Sequence, residues 1–306
     1  NMYSSRKWWL GLSLSALALG AVPVLWYYFG SPAVTPATVT SKTSPWFEQL
    51  ALAAAIGFIK PVYTLVALGL IIFLRHVKSR DGLALLWGLG FFLVGESACA
   101  INIVGFNQNS NWLEFIHGYG MVLNFAFVAF AIIEAVDSRL IDYSDPQKKC
   151  ALQGICQHCI KSGRGACTLQ RGFYFLIPVL ILLAFIPLMS SFNLTSYTTQ
   201  ILRWTYNFGR PVIFQIFDFH YVPICGIVFL SLAFVALLVK KDSKISSLKV
   251  LLAAGIGALA FSYLRLIFFD AYHDNLVWSE FWEELTELIY VSGVAYFVWI
   301  FRTKTD

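Results

Sequence analysis

Long apolar runs separated by short polar segments dominate the chain. Eight runs reach the roughly 18 residues that a bilayer-spanning helix needs. They fall at about 8–29, 49–74, 83–105, 113–136, 172–190, 221–239, 248–269 and 283–301. So many separate runs of this length do not fit inside one soluble domain. The expected fold class is an all-α integral membrane protein of about eight transmembrane helices, with the lipid bilayer as its first partner. The first run has the basic start and apolar middle of a secretory signal, "RKWWLGLSLSALALGA". It continues through the bulky "VPVLWYYFG", too long for a typical cleaved leader, so a retained helix is expected.

Composition agrees with the pattern. Only 13% of residues are charged and 58% are hydrophobic, against about 25% charged in soluble domains. The basic residues then orient the runs. Arg6, Lys7, Arg75, Lys78, Arg80, Arg139, Lys148, Lys149, Lys161, Arg164, Arg171, Lys240, Lys241, Lys244, Lys249, Arg302 and Lys304 fall on one side. The opposite loops hold Lys42, Arg203 and Arg210. The positive-inside rule places the first group in the cytoplasm. Both termini are therefore expected there, in a plasma or bacterial inner membrane. The net charge of +5 reflects this topology; no nucleic-acid motif is present, and no nucleic-acid partner is expected.

On this topology residues 137–171 form a cytoplasmic loop, and it contains "CALQGICQHCIKSGRGAC". Cys150, Cys156, Cys159 and Cys167 follow a C-x5-C-x2-C-x7-C spacing. A reducing compartment disfavours structural disulfides, and four thiolates this close more often hold a metal. Zinc and an iron–sulfur cluster both suit four sulfurs. The spacing matches neither the bacterial ferredoxin run nor a zinc ribbon, so the choice stays open. Gly154, Gly163 and Gly165 let the backbone wrap the centre, and Lys149, Lys161 and Arg164 offset its charge. His158 is not needed as a ligand beside four sulfurs. Cys99 and Cys225, inside the third and sixth runs, read as small helix-packing residues.

The chain also reads as two halves: a four-helix half at 1–136, the cysteine loop at 137–171, and a second four-helix half at 172–306. "FIKPVYTLVALGLIIFLRHVKSRDG" at 58–82 resembles "FDFHYVPICGIVFLSLAFVALLVKK" at 217–241, and "NWLEFIHGYGMV" at 111–122 pairs loosely with "FWEELTELIYVS" at 281–292. Halves with an even number of spans would be parallel, with a shared site at their interface.

Ionisable residues inside spans cost roughly 2.5–3.5 kcal/mol each near the centre. Lys60, just before Pro61, and Glu96 sit at similar depth and are candidates for an ion pair, with Tyr63 one turn beyond Lys60. Glu114 and His117 share a helix face one turn apart. Glu283, Glu284 and Glu287 open the last run, Arg265 and Asp270 close the seventh, and Asp218 and His220 open the sixth. For Asp218, Asp270 and Glu283, contact with headgroup water is expected. The set points to a polar cavity opening outward, while the inner half holds little beyond Glu134.

Three chemistries suit such a cavity. Glu114-x-x-His117 is a di-metal ligand pattern, although the last run supplies Glu284 and Glu287 and no second His. A haem would take His117 and His220. A proton-carrying or quinone-binding cavity would use Glu96, Glu114, His117 and Glu287 as proton-handling or catalytic groups. Two functions follow as expectations. In the redox reading, the cysteine centre exchanges electrons with a quinone or haem in the outward cavity. Most of a bilayer of roughly 30 Å separates them, so an intermediate carrier is needed, a quinone between the halves or a partner subunit. In the transport reading, the cysteines hold structural zinc, and Lys60, Glu96 and Arg265 contact a small ion or solute.

No Gly-rich phosphate loop, Ser/His/Asp order or HExxH helix is present. Residues 31–48 form a Pro/Thr/Ser-rich outer loop, and Asn193–Thr195 match a glycosylation sequon. The aromatic-rich segment 191–220 is expected to lie along the interface as a cap.

Overall fold

The structure, a computed structural model, describes residues 39–41, 44–106, 110–141, 168–192, 196–201, 204–208, 211–238, 245–272 and 275–302. The first expected span at 8–29, the four loop cysteines and the sequon lie outside these residues. The described chain is overwhelmingly helical. Helix α1 covers Trp46–Leu74, α2 Arg80–Phe106, α3 Asn111–Val136, α4 Thr168–Leu183, α5 Phe185–Leu188, α6 Val212–Leu238, α7 Ile245–Ala271 and α8 Leu276–Arg302. Six of these (α1, α2, α3, α6, α7 and α8) are long and apolar enough to cross a membrane. They match six of the eight expected runs.

The fifth run behaves differently. Pro178 lies inside α4, and a turn at Ala184 separates α4 from the four-residue α5. Its apolar helical stretch, Phe175–Leu188, is shorter than a full span.

Large apolar side chains such as Phe58, Leu65, Val104, Met189 and Trp299 point outward and are exposed. In water this surface would be costly; against lipid tails it is the expected exterior. Six apolar helices with such a surface are compatible with an integral membrane protein.

Short connections make α1–α2, α2–α3 and α7–α8 antiparallel neighbours. The end where α1, α3, α6 and α8 begin is therefore the end where α2 and α7 finish. The closest packing depends on glycine, because lipid offers helices no hydrophobic drive to associate and close backbone approach supplies the contact. A Cβ on Gly120 of α3 would lie 2.9 Å from Gly95 Cα and Phe91 O of α2. One on Gly257 of α7 would lie 2.5 Å from Ala126 Cα of α3.

Three helices contain a wide π-helical turn. In α1 it spans Ala55–Ile59, where the Lys60 N–H reaches back to the Ala55 carbonyl. Pro61 follows and has no N–H to give the preceding turn. In α6 the turn spans Phe217–Tyr221, with Val222 N–H on the Phe217 carbonyl, and Pro223 follows. The third, Asp137–Ile141, continues α3. Such turns occur often at functional sites, and each of these lies beside buried charge.

A small three-stranded sheet was not expected. Strand β1 (Val39–Ser41) pairs in parallel with β2 (Ser196–Ile201), and β2 pairs antiparallel with β3 (Trp204–Phe208) through the register Tyr197↔Phe208 to Ile201↔Trp204. Within the segment expected to run along the interface as a cap, 196–201 and 204–208 thus pair as antiparallel strands. It belongs to the end where α1 begins, and β2 touches α1.

Candidate functional site

Five helices bring ionisable side chains to one buried cluster, in the half of the bundle where α1, α3 and α8 begin. Lys60 and Tyr63 come from α1, just after its π turn; their three-residue spacing puts them on one face. Glu96 comes from α2, about 15 Å from its end at 1.5 Å per residue. His117 comes from α3, Arg265 from α7, and Glu283, Glu284 and Glu287 from α8. All are buried, Glu96 and Glu284 at 2% exposure.

Lys60 holds the centre. Its Nζ lies 2.6 Å from Glu96 Oε2 and 2.8 Å from Glu284 Oε1, and it donates to the Tyr63 hydroxyl at 3.1 Å. The expected Lys60–Glu96 pair is therefore present, and Glu284 makes it a triad. The Tyr63 hydroxyl lies 2.6 Å from Glu96 Oε2 and 2.5 Å from Glu284 Oε2. The Tyr63 ring packs edge-on to Phe92, centroids 5.6 Å apart, which fixes where the hydroxyl points.

A second layer adjoins the first. Arg265 Nη1 pairs with Glu283 Oε1, and Nη2 lies 2.7 Å from His117 Nε2. The guanidinium also stacks over Phe261 and Phe269 at 5.4 and 5.5 Å. His117 Nδ1 lies 3.1 Å from the Gly95 carbonyl. A carbonyl only accepts, so Nδ1 carries the hydrogen and Nε2 accepts from Arg265. Both ring nitrogens are thereby engaged by protein partners. The layers meet where His117 Nδ1 comes within 3.7 Å of Glu96 Oε1.

Glu287 completes the set. Glu96, Glu284 and Glu287 each present a carboxylate oxygen within 4.8 Å of the others. Among the oxygens of these three residues, Glu96 Oε1 and Glu287 Oε2 are buried without a hydrogen-bond partner.

The other sequence candidates are more scattered. Glu114 is half-buried one turn before His117. His220 lies in the π turn of α6, half-buried, with its ring 5.1 Å from that of Phe192. No hydrogen bond or ion pair joins His220 to the cluster among the described residues. Asp218 and Glu283, expected at headgroup water, are 1% and 9% exposed. Asp218 sits in the buried π turn and Glu283 is held by Arg265, so neither faces solvent. Cys99 and Cys225 are unbridged and half-buried, as packing residues are.

No family model, curated protein or solved structure matches the chain.

The opposite end of the bundle carries its own charged layer, which sequence reading missed. Lys249, expected on the cytoplasmic side at the start of the seventh run, is buried on α7, with Nζ 2.6 Å from Glu134 Oε2 and paired with Asp137. Nearby, Arg139 Nη2 reaches Asp81 Oδ2 at 2.5 Å, and Nη1 donates to the Phe301 carbonyl at 2.6 Å. These contacts tie α2, α3, α7 and α8 together at that end.

Proposed function

We propose that this protein is an ion-coupled membrane carrier, whose Lys60–Tyr63–Glu96–Glu284–Glu287 cluster takes up and releases a proton as a small ion or solute crosses. One observation carries the reading. The Tyr63 hydroxyl makes two O···O contacts of hydrogen-bond length to two carboxylates, and each such contact needs a proton. Tyrosine supplies one, and Lys60 approaches the hydroxyl as a donor. The second proton belongs on a carboxyl, where it is buried inside a span and exchangeable. Ionisable groups at this depth are costly and mark ion pathways and proton relays. His117 and Arg265 form a second charged layer beside Glu96, and the charged layer at the other end suits a closed side of the carrier.

The four loop cysteines support a second reading on sequence grounds. Cys150, Cys156, Cys159 and Cys167 hold iron–sulfur or zinc on the cytoplasmic side, and an iron–sulfur centre would exchange electrons with a quinone or partner subunit. An optical spectrum of the purified protein before and after dithionite tests it. Bleaching of a broad visible band supports iron–sulfur, and a featureless spectrum with bound zinc removes the redox reading. Reporter fusions at both termini test their cytoplasmic placement.

The carrier reading is tested in proteoliposomes loaded with a pH-sensitive dye and driven by an imposed membrane potential. Proton flux should exceed that of protein-free vesicles and fall to their level in Glu96→Gln. Flux equal to that of empty vesicles for the parent protein would remove the proposal.

A further inference from the structure

We propose that Glu96, Glu284 and Glu287 bind one divalent hard cation of the Mg²⁺, Mn²⁺ and Ca²⁺ class, in exchange for the proton of the cluster. The inference rests on the carrier reading only in that ion and proton compete for the same oxygens.

Three observations lead to it. The three carboxylates place oxygens within 4.8 Å of one another. Metal–oxygen distances of roughly 2.0–2.6 Å put ligands of one ion at most about twice that distance apart, so the spread suits a single ion. Next, the Glu287 side chain is 3% exposed, and its buried Oε2 has no hydrogen-bond partner. Glu96 Oε1 is likewise unpartnered. Buried carboxylate oxygens are costly unless something positive meets them, and Lys60 already serves Glu96 Oε2 and Glu284 Oε1. The third observation is charge. Three carboxylates against the single Lys60 ammonium leave two negative charges when all are ionised, which one divalent ion balances.

The donor set fixes the class of ion. His117 has both nitrogens engaged, so the ligands are carboxylate oxygens, and oxygen-only sites suit hard cations over zinc or copper. When the ion enters, it bonds to the carboxylate oxygens, the O–H bond of the protonated carboxyl breaks, and that proton leaves to solvent. No electrons are transferred.

Manganese titration of the purified full-length chain in detergent tests the site, with free Mn²⁺ read by its electron paramagnetic resonance and released protons by an indicator in weak buffer. The expected result is saturable binding at one site per chain, weakened at least about tenfold by Glu287→Gln and by Glu96→Gln. Glu134→Gln, at the other end of the bundle, should leave it unchanged, and so should serine at all four loop cysteines. Competition by Mg²⁺ or Ca²⁺ adds support. Binding with release of about one proton supports both proposals. Binding without release keeps the metal site and counts against the proton reading. Absence of binding at millimolar Mn²⁺, equal affinity in Glu287→Gln, or loss of binding in the cysteine variant overturns the site, and the vesicle assay then judges the carrier alone. If Glu287→Gln does not fold, the parent protein decides: its thermal midpoint must rise with Mn²⁺, and an unchanged midpoint overturns the site.

Discussion

Lys60 on α1 and Glu284 on α8 are 224 residues apart in sequence and 2.8 Å apart in space. Their ion pair closes the first long helix against the last, and Glu96 of α2 shares the same ammonium. Burial makes this contact strong to break and weak to replace. Removing one partner of a buried pair leaves an uncompensated charge, whereas replacing the pair by apolar groups is often neutral.

Lys60→Met should therefore destabilise the protein by about 3–5 kcal/mol, seen as a lowered unfolding midpoint in detergent. Adding Glu284→Gln to that variant should recover part of the loss, because one buried charge is then removed. Equal stability of Lys60→Met and the parent would show that the ammonium does not hold the helices together.

Tyr63→Phe keeps the ring against Phe92 and deletes the hydroxyl between Glu96 and Glu284. Leaving buried acceptors without a donor costs about 1–3 kcal/mol. Proton flux in vesicles should also fall well below that of the parent. A variant that unfolds more easily yet moves protons at the full rate would reduce Tyr63 to a packing residue.

At the opposite end, Lys249→Met should cost about 3–5 kcal/mol, since it strands Glu134 and Asp137 in a buried site. The double variant with Glu134→Gln should be more stable than Lys249→Met alone, a coupling that a double-mutant cycle measures directly. Additive losses would mean that Lys249 and Glu134 act independently.

Glycine packing gives a paired test. Gly257→Ala places a methyl group where the α3 backbone already lies, and overpacking of this kind costs typically about 1–3 kcal/mol. Gly69→Ala on α1 meets nothing within 4 Å and gains helix propensity, so it should be neutral or slightly stabilising. Similar effects from both substitutions would remove close α3–α7 approach as their explanation.

The sequence made the helices legible because an apolar run of span length has few other uses. It also marked Lys60, Glu96, His117, Arg265, Glu284 and Glu287 as unusual, since charge at that depth needs a reason. What it lacked was distance. Nothing local says that Glu284 reaches Lys60, or that His117 spends both nitrogens on Gly95 and Arg265, so a haem reading stood beside a proton reading. The charge of Lys249 gives its side of the membrane and not its partners; only the packing of α7 on α3 shows those. The sheet does carry a local signal: "SYTTQI" and "WTYNF" are rich in β-branched and aromatic residues. The π turns had none beyond the prolines that follow two of them.

Those turns have a consequence for how the helices face. A π turn is an α-helix holding one surplus residue, and one residue is worth about 100° of rotation at 3.6 residues per turn. Everything after Ile59 in α1 is therefore set out of phase with what precedes it. The lipid-facing stripe of Trp46–Ala54 does not continue along Lys60–Leu74. The same slip occurs in α6 between Ile216 and Val222. Substitution within either turn leaves the phase alone, but loss of a single residue there resets it. Because the wide turn absorbs that residue, a one-codon deletion at Gly57, whose surroundings are open, should leave a regular α-helix with Lys60 and Tyr63 still facing Glu96 and Glu284.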